Sequence, residues 1–103
     1  MSTERDAIQA RTRSDGLRLL RIINGTQAHG QEGARAYPPR AAQEAGLELG
    51  SERYEDAIAY LVEQAALRRD ESMAFDEDIR DERVRGYGLY IFTRRALKLL
   101  DGL

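Results

Sequence analysis

Pro38-Pro39-Arg40-Ala41-Ala42-Gln43-Glu44-Ala45-Gly46-Leu47, followed closely by Ser51-Glu52-Arg53-Tyr54-Glu55-Asp56-Ala57-Ile58-Ala59-Tyr60-Leu61-Val62-Glu63-Gln64-Ala65-Ala66-Leu67, is the stretch on which the fold turns. The first proline forces an extended approach, and the second suits the first turn of a helix because its missing N–H would be unpaired there anyway. Ala41, Ala42 and Ala45 carry a short helix, Gly46 closes it, and Leu47 and Leu49 pack as the turn crosses the core until Gly50 ends it. Ser51 is a good N-cap, and Glu52, Glu55 and Asp56 place negative charge at the positive end of the helix dipole. Tyr54, Ile58, Leu61, Val62 and Ala65 then recur at three- and four-residue spacing, which predicts a helix running to about Gln64 or Ala66.

On the N-terminal side, Thr3 to Asn24 reads as helical. Ile8, Leu19, Ile22 and Ile23 fall on one face, with Leu17 and Leu20 widening the stripe. Ser14-Asp15-Gly16 interrupts that pattern, so the segment is either one rod or two helices, and Asn24-Gly25 supplies a C-terminal stop. From Gly25 to Tyr37 three glycines and no apolar periodicity predict a loop. After Leu67 the period changes: Met73 and Phe75 alternate with polar neighbours, a charged stretch follows, and Gly86-Tyr87-Gly88-Leu89-Tyr90-Ile91-Phe92 reads as a strand. Two strands around a charged loop make a hairpin. Thr93 caps a last helix with Ala96, Leu97, Leu99 and Leu100 as its apolar positions.

The order is helix, short helix, longer helix, hairpin, closing helix. It resembles the winged helix-turn-helix family of small bacterial-type transcription regulators. Pro39 to Leu47 looks like the short second helix and turn of that family. Tyr54 to Leu67 looks like the third helix running into the first wing strand, and Tyr87 to Leu100 like the returning wing strand and C-terminal helix. Together the matches cover roughly residues 17–100, and the assignment rests on their order. The resemblance implies a mainly α chain with a small β-hairpin (α+β): a single domain over 1–103, built as a three-helix core plus wing and C-terminal helix, with 1–14 as an N-terminal arm or extra helix.

In relatives of that kind the third helix enters the major groove and basic wing residues meet the backbone or minor groove. The outward positions of the third helix here are Glu52, Arg53, Glu55, Asp56, Ala59 and Glu63. Four carboxylates on that face would repel phosphates on both sides of a groove, and carboxylates rarely dominate a reading face. The resemblance therefore points to Arg40 and Arg53, near two helix starts, and to Arg80, Arg83 and Arg85 in the wing as the nucleic-acid-binding residues. The wing arginines pair either with phosphates or with Asp76, Asp78, Asp81 and Glu82 beside them. Arg11, Arg13, Arg18 and Arg21 form either a basic stripe or a solvated face on the first helix, and Arg35 adds to a patch if the fold brings it near Arg40. The start of the short helix is also a place where backbone N–H groups meet phosphate.

Composition bounds the alternatives. At 103 residues there is room for one core, with 42% hydrophobic and 33% charged residues. No cysteine is present, which excludes disulfides, zinc fingers and thiol chemistry. No apolar run is long enough for a membrane span and the N-terminus is polar, so the expected compartment is the cytoplasm. The net charge of −2 is uneven: seven Arg face four acids in residues 1–40, and three Arg face seven acids in residues 41–70. His29, the single histidine, has no ligand cluster at metal spacing, so no metal or other cofactor is expected. Ser51 and Thr93 read as caps with no histidine base beside them, and Gly86-Tyr87-Gly88 precedes a strand instead of opening a helix, so an enzyme is not expected.

Two functions follow. The first is a DNA-binding transcriptional regulator taking double-stranded DNA; the alternative is a protein-interaction module whose acidic third helix meets a basic partner. RNA binding through the wing is a third reading. Aromatic and branched residues on both faces of the last strand, Tyr87, Leu89 and Ile91 against Tyr90 and Phe92, call for cover from the closing helix or from a second subunit. A homodimer through a terminal helix is therefore also expected.

Overall fold

The computed structural model describes residues 3–70 and 89–102. Helix α1 spans Thr3–Ile23 and is continuous. Ser14-Asp15-Gly16 does not break it, because Gly16 lies where α1 meets the third helix. A Cβ there would stand 2.8 Å from Tyr60 Cδ2 and 3.5 Å from the Ala57 carbonyl oxygen. The glycine that reads as punctuation is a close-approach residue. Leu19, Leu20 and Ile23 are fully buried, whereas Ile8 is 44% exposed because the first half of α1 runs past the core.

The α-helix ends at Ile23, directly before Asn24-Gly25 as expected, but the chain stays coiled for one further turn. Residues Asn24–Ala28 form one π-helical turn. It is closed by the His29 N–H donating to the Asn24 carbonyl at 2.6 Å, with His29 in the left-handed region. The Asn24 side-chain oxygen accepts from the Gly30 N–H at 2.7 Å, so the asparagine terminates the helix one turn later than its position suggests. Within the expected loop lies a two-residue strand, β1, Arg35–Ala36, which sequence pattern could not mark because two residues have no period. Gln27 fixes the exit: its Nε2 donates to the Tyr37 carbonyl at 3.0 Å and its Oε1 accepts from the Tyr37 N–H.

Helix α2 spans Pro38–Ala45 and closes on Gly46 at φ 74°, a left-handed position that glycine tolerates at no steric cost. Helix α3 spans Glu52–Glu63, and the Ser51 hydroxyl accepts from the Tyr54 N–H at 3.2 Å, as the capping pattern predicts. Strand β2, Leu67–Arg69, follows after a three-residue turn. The strand pattern read at Met73 and Phe75 falls outside the described residues. β2 itself carries one apolar residue and two arginines, so its pairing makes it a strand, not its propensity. Strand β3, Tyr90–Phe92, lies between the other two in an antiparallel sheet of order β1-β3-β2. Helix α4, Arg94–Asp101, closes the fold.

Thr93 caps α4, accepting from the Ala96 N–H at 3.3 Å. Its hydroxyl also donates a shared bond to the carbonyls of Ala65 at 2.5 Å and Ala66 at 2.9 Å, which joins α4 to the end of α3. The fully buried Phe92, Leu19, Leu20, Ile23, Leu61 and Leu67 form the core together with Pro38 and Pro39. Each large apolar side chain taken wholly from water contributes about 1.5–3 kcal/mol. The architecture is thus mainly helical with a small antiparallel sheet, an α+β arrangement. Among the described residues no helix is long and apolar enough to cross a membrane.

Candidate nucleic-acid interface

The residues singled out from sequence meet different fates. Arg40 is exposed in the first turn of α2. The backbone beside it offers little to a phosphate: Pro38 and Pro39 have no N–H and are buried, and the Arg40 N–H donates to the Tyr37 carbonyl at 3.4 Å. Whatever Arg40 binds, it binds through its guanidinium. The prolines that set the helix start are what remove the amide cradle expected there.

Arg53 forms a two-pronged pair with Asp15 across the α1–α3 contact. Its Nε donates to Asp15 Oδ2 at 3.0 Å and its Nη2 to Oδ1 at 2.7 Å. The carboxylate is nearly buried and the guanidinium half exposed, at 9% and 51% of side-chain area. Hydrogen bonding to Asp15 and then its negative charge hold the Arg53 pKa above the ordinary arginine value. Asp15 read as a helix-capping residue; it is the anchor that fixes the start of α3. Arg80, Arg83 and Arg85 lie outside the described residues.

The outward face of α3 carries exposed Glu52, Glu55 and Glu63 and half-buried Asp56, the four carboxylates the helical spacing predicts, with Arg53 the single cation among them and already engaged. The sheet is the opposite. Arg35 of β1 and Arg68 of β2 are the cross-strand partners of Ile91 in β3, so the three side chains share one row on one face. Tyr90 and Phe92 point to the other face and are buried. Ile91 is half-buried between two arginines whose aliphatic stems can cover an apolar neighbour while their charged heads stay in water. The two arginines are two strand spacings apart, about 10 Å, so their potentials overlap at physiological salt, where the screening length is about 8 Å.

Arg35 is 60% exposed and lies 3.5 Å from the buried Asp70 carboxylate, which orients it from the residue just after β2. Arg69 is exposed next to Arg68, and Arg94 and Arg95 are exposed in the first turn of α4, where they add to the positive end of that helix. These four arginines, Arg68, Arg69, Arg94 and Arg95, escaped the sequence reading. The available signal was two Arg-Arg pairs flanking the hairpin strands, and it is legible only once the strand ends are known. On α1, Arg11, Arg13, Arg18 and Arg21 are all exposed, and Arg13 also lines the groove beside α3.

Ser51 and Thr93 are spent as caps. Among the described residues no group of three or more His, Cys, Asp or Glu side chains is placed to hold a metal ion. What the arrangement offers is charge separated by element: a basic sheet face and an acidic helix face. No protein-family model, curated protein or solved structure matches the chain.

Proposed function

We propose that the chain is a winged-helix domain that binds double-stranded DNA as a cytoplasmic transcriptional regulator, gripping phosphates from its basic sheet side and wing instead of reading a groove with α3. The element order supports the winged-helix reading: α1, a short α2 joined by a glycine turn to α3, an antiparallel pair β2–β3, and a closing helix. One observation carries the DNA reading. Exposed Arg68 and Arg69 sit on the strand leading into residues 71–88, which hold Arg80, Arg83 and Arg85, and Arg35 shares a sheet row with Arg68. Arg40 adds a contact from α2. Arg53 holds α3 against α1 and contributes to the interface by position.

Backbone binding of this kind is salt-dependent, because each neutralised phosphate releases condensed counterions. Fluorescence anisotropy on a random duplex is expected to give measurable affinity at low salt that falls steeply as salt rises. Replacing Arg83 and Arg85 by alanine should lower both affinity and slope. No binding to duplex at low salt sinks the proposal.

The second reading, a module for a basic protein partner, is favoured by α3 itself. Glu52, Glu55 and Glu63 are exposed on the same helix as Val62, which is 43% accessible, and the free charges of that helix are all negative. Under that reading duplex binding is absent and charge neutralisation of α3 abolishes partner capture.

A further inference from the structure

We propose that the groove between the N-terminal half of α1 and the outward face of α3 is the contact surface for a second copy of this chain. Ile8 of each copy enters the groove of the other, and Arg13 of each meets Glu63 of the other. The groove encloses ≈ 550 Å³, with Ile8, Ala59 and Tyr60 as its apolar lining and Asp56, Glu63 and Arg13 among its polar residues.

Three observations select this occupant. First, α1 and α3 touch closely at Gly16–Tyr60 and are pinned by Asp15–Arg53, but towards the start of α1 every residue from Thr3 to Arg13 is exposed except the half-buried Thr12. Among the described residues, that half of α1 has no tertiary cover of its own, although most helical stability in proteins comes from packing one face. Second, Ile8 is one of the large hydrophobic residues left exposed among the described ones, and it lines this groove. Third, the groove carries both signs of charge on one patch. A basic partner would be repelled by Arg13, and an acidic partner or a nucleic acid by Asp56 and Glu63. A two-fold contact makes residue i meet j while j meets i, so a patch holding a base beside acids is complementary to its own copy. It buries Ile8 against apolar surface at the same time.

The test uses the full chain without DNA, so it is independent of whether the domain binds DNA. Sedimentation equilibrium over a concentration series is expected to give a monomer–dimer equilibrium. Ile8→Glu, at a position exposed in the single chain, should leave the helical circular dichroism unchanged and raise the dimer dissociation constant at least about tenfold. Arg13→Glu and Glu63→Arg should each weaken self-association by placing like charges in both contacts. Mixing the two variants should restore it, because in the mixed pair each altered position faces the opposite charge; a pairing within one chain gains nothing from mixing. A wild-type chain that stays monomeric throughout, a dimer indifferent to Ile8→Glu, or a mixture no tighter than its components overturns the proposal.

Discussion

The outward face of α3 and the outward face of the sheet lie on either side of a short junction, Gln64 to Ala66, and they are electrostatic opposites. The helix has the geometry to enter a groove and the wrong charge: Glu52, Glu55, Asp56 and Glu63, with Arg53 bound to Asp15. The sheet has no element long enough to fill a groove, yet it carries Arg35 and Arg68 in one row of its outward face, with the exposed Arg69 next along β2 on the side of Tyr90. Shape and charge therefore point to different parts of this molecule. For a ligand as densely charged as duplex DNA the charge term dominates affinity, so the sheet side is the better candidate.

The largest expected effect tests that comparison directly. Replacing Arg68 and Arg69 together by glutamate should weaken duplex binding by about a hundredfold or more and reduce the salt slope by about two, since each lost phosphate contact removes about one unit. Replacing Glu52 and Glu55 by glutamine should strengthen binding at low salt and leave the slope's sheet contribution in place. If the glutamine pair weakens binding, or the Arg68 and Arg69 replacements leave it unchanged, the assignment of roles to helix and sheet is reversed. Both are read in one anisotropy titration series.

The same contrast explains what could be read from the sequence. The acidic helix was legible because twelve residues give a period, and its cap, Ser51, sits where the pattern begins. The Thr93 cap and the glycine closing α2 were legible for the same local reason. The sheet was not, since β1 has two residues and β2 three, and in β2 only Leu67 is apolar. Those strands exist because β3 lies between them, a long-range fact that leaves no trace in local sequence. Asp15 and Gly16 misled in a different way. Their residue types signal a cap and a break in isolation, whereas here one pairs with Arg53 and the other admits the Tyr60 ring. Long-range contacts reassigned both.

The next effect concerns the charge that α3 uses internally. Arg53→Met leaves the nearly buried Asp15 carboxylate without its bidentate partner and should lower the thermal midpoint clearly. The half-exposed guanidinium makes this loss smaller than a fully buried pair would give. Asp15→Leu combined with Arg53→Met should recover most of it, because an apolar pair of similar volume removes the orphaned charge along with the salt bridge. The pH sign follows from the raised Arg53 pKa. A cation held above its unfolded value contributes fully below that value and loses its contribution only as pH rises through the raised one. The gap in midpoint between the parent chain and Arg53→Met should therefore stay constant from neutral into moderately alkaline pH; a gap that closes there contradicts the pairing.

A smaller effect tests how α3 is seated. Gly16→Ala improves helix propensity but puts a methyl group 2.8 Å from a Tyr60 ring carbon, and the Ala57 backbone stands on the same side. The expected net cost is about 1–3 kcal/mol by denaturant unfolding, the usual range for overpacking. In a Tyr60→Ala background the obstacle is gone, and the same change should stabilise by up to about 1 kcal/mol. A sign that does not reverse would mean that the backbone, not the ring, sets the approach of the two helices, since residues in contact should couple in a double-mutant cycle.

The smallest effects lie in the junction between the two opposed faces. Thr93→Val removes the α4 cap and the hydroxyl bonds to the Ala65 and Ala66 carbonyls, at a cost of about 1 kcal/mol. Ala65 itself holds φ 60°, a left-handed conformation that a Cβ disfavours by about 1–2 kcal/mol. Ala65→Gly relieves that strain but gives the unfolded chain more freedom, which takes back about 0.4–1 kcal/mol, so a net gain of about 0.5 kcal/mol is expected. The carbonyl that Thr93 holds is unchanged, and no charge is altered on either face. Duplex affinity should accordingly be the same in Ala65→Gly as in the parent chain. If it falls while stability rises, the turn at Ala65 is setting the angle at which the basic sheet and the acidic helix are presented, and the two faces act as one interface instead of two.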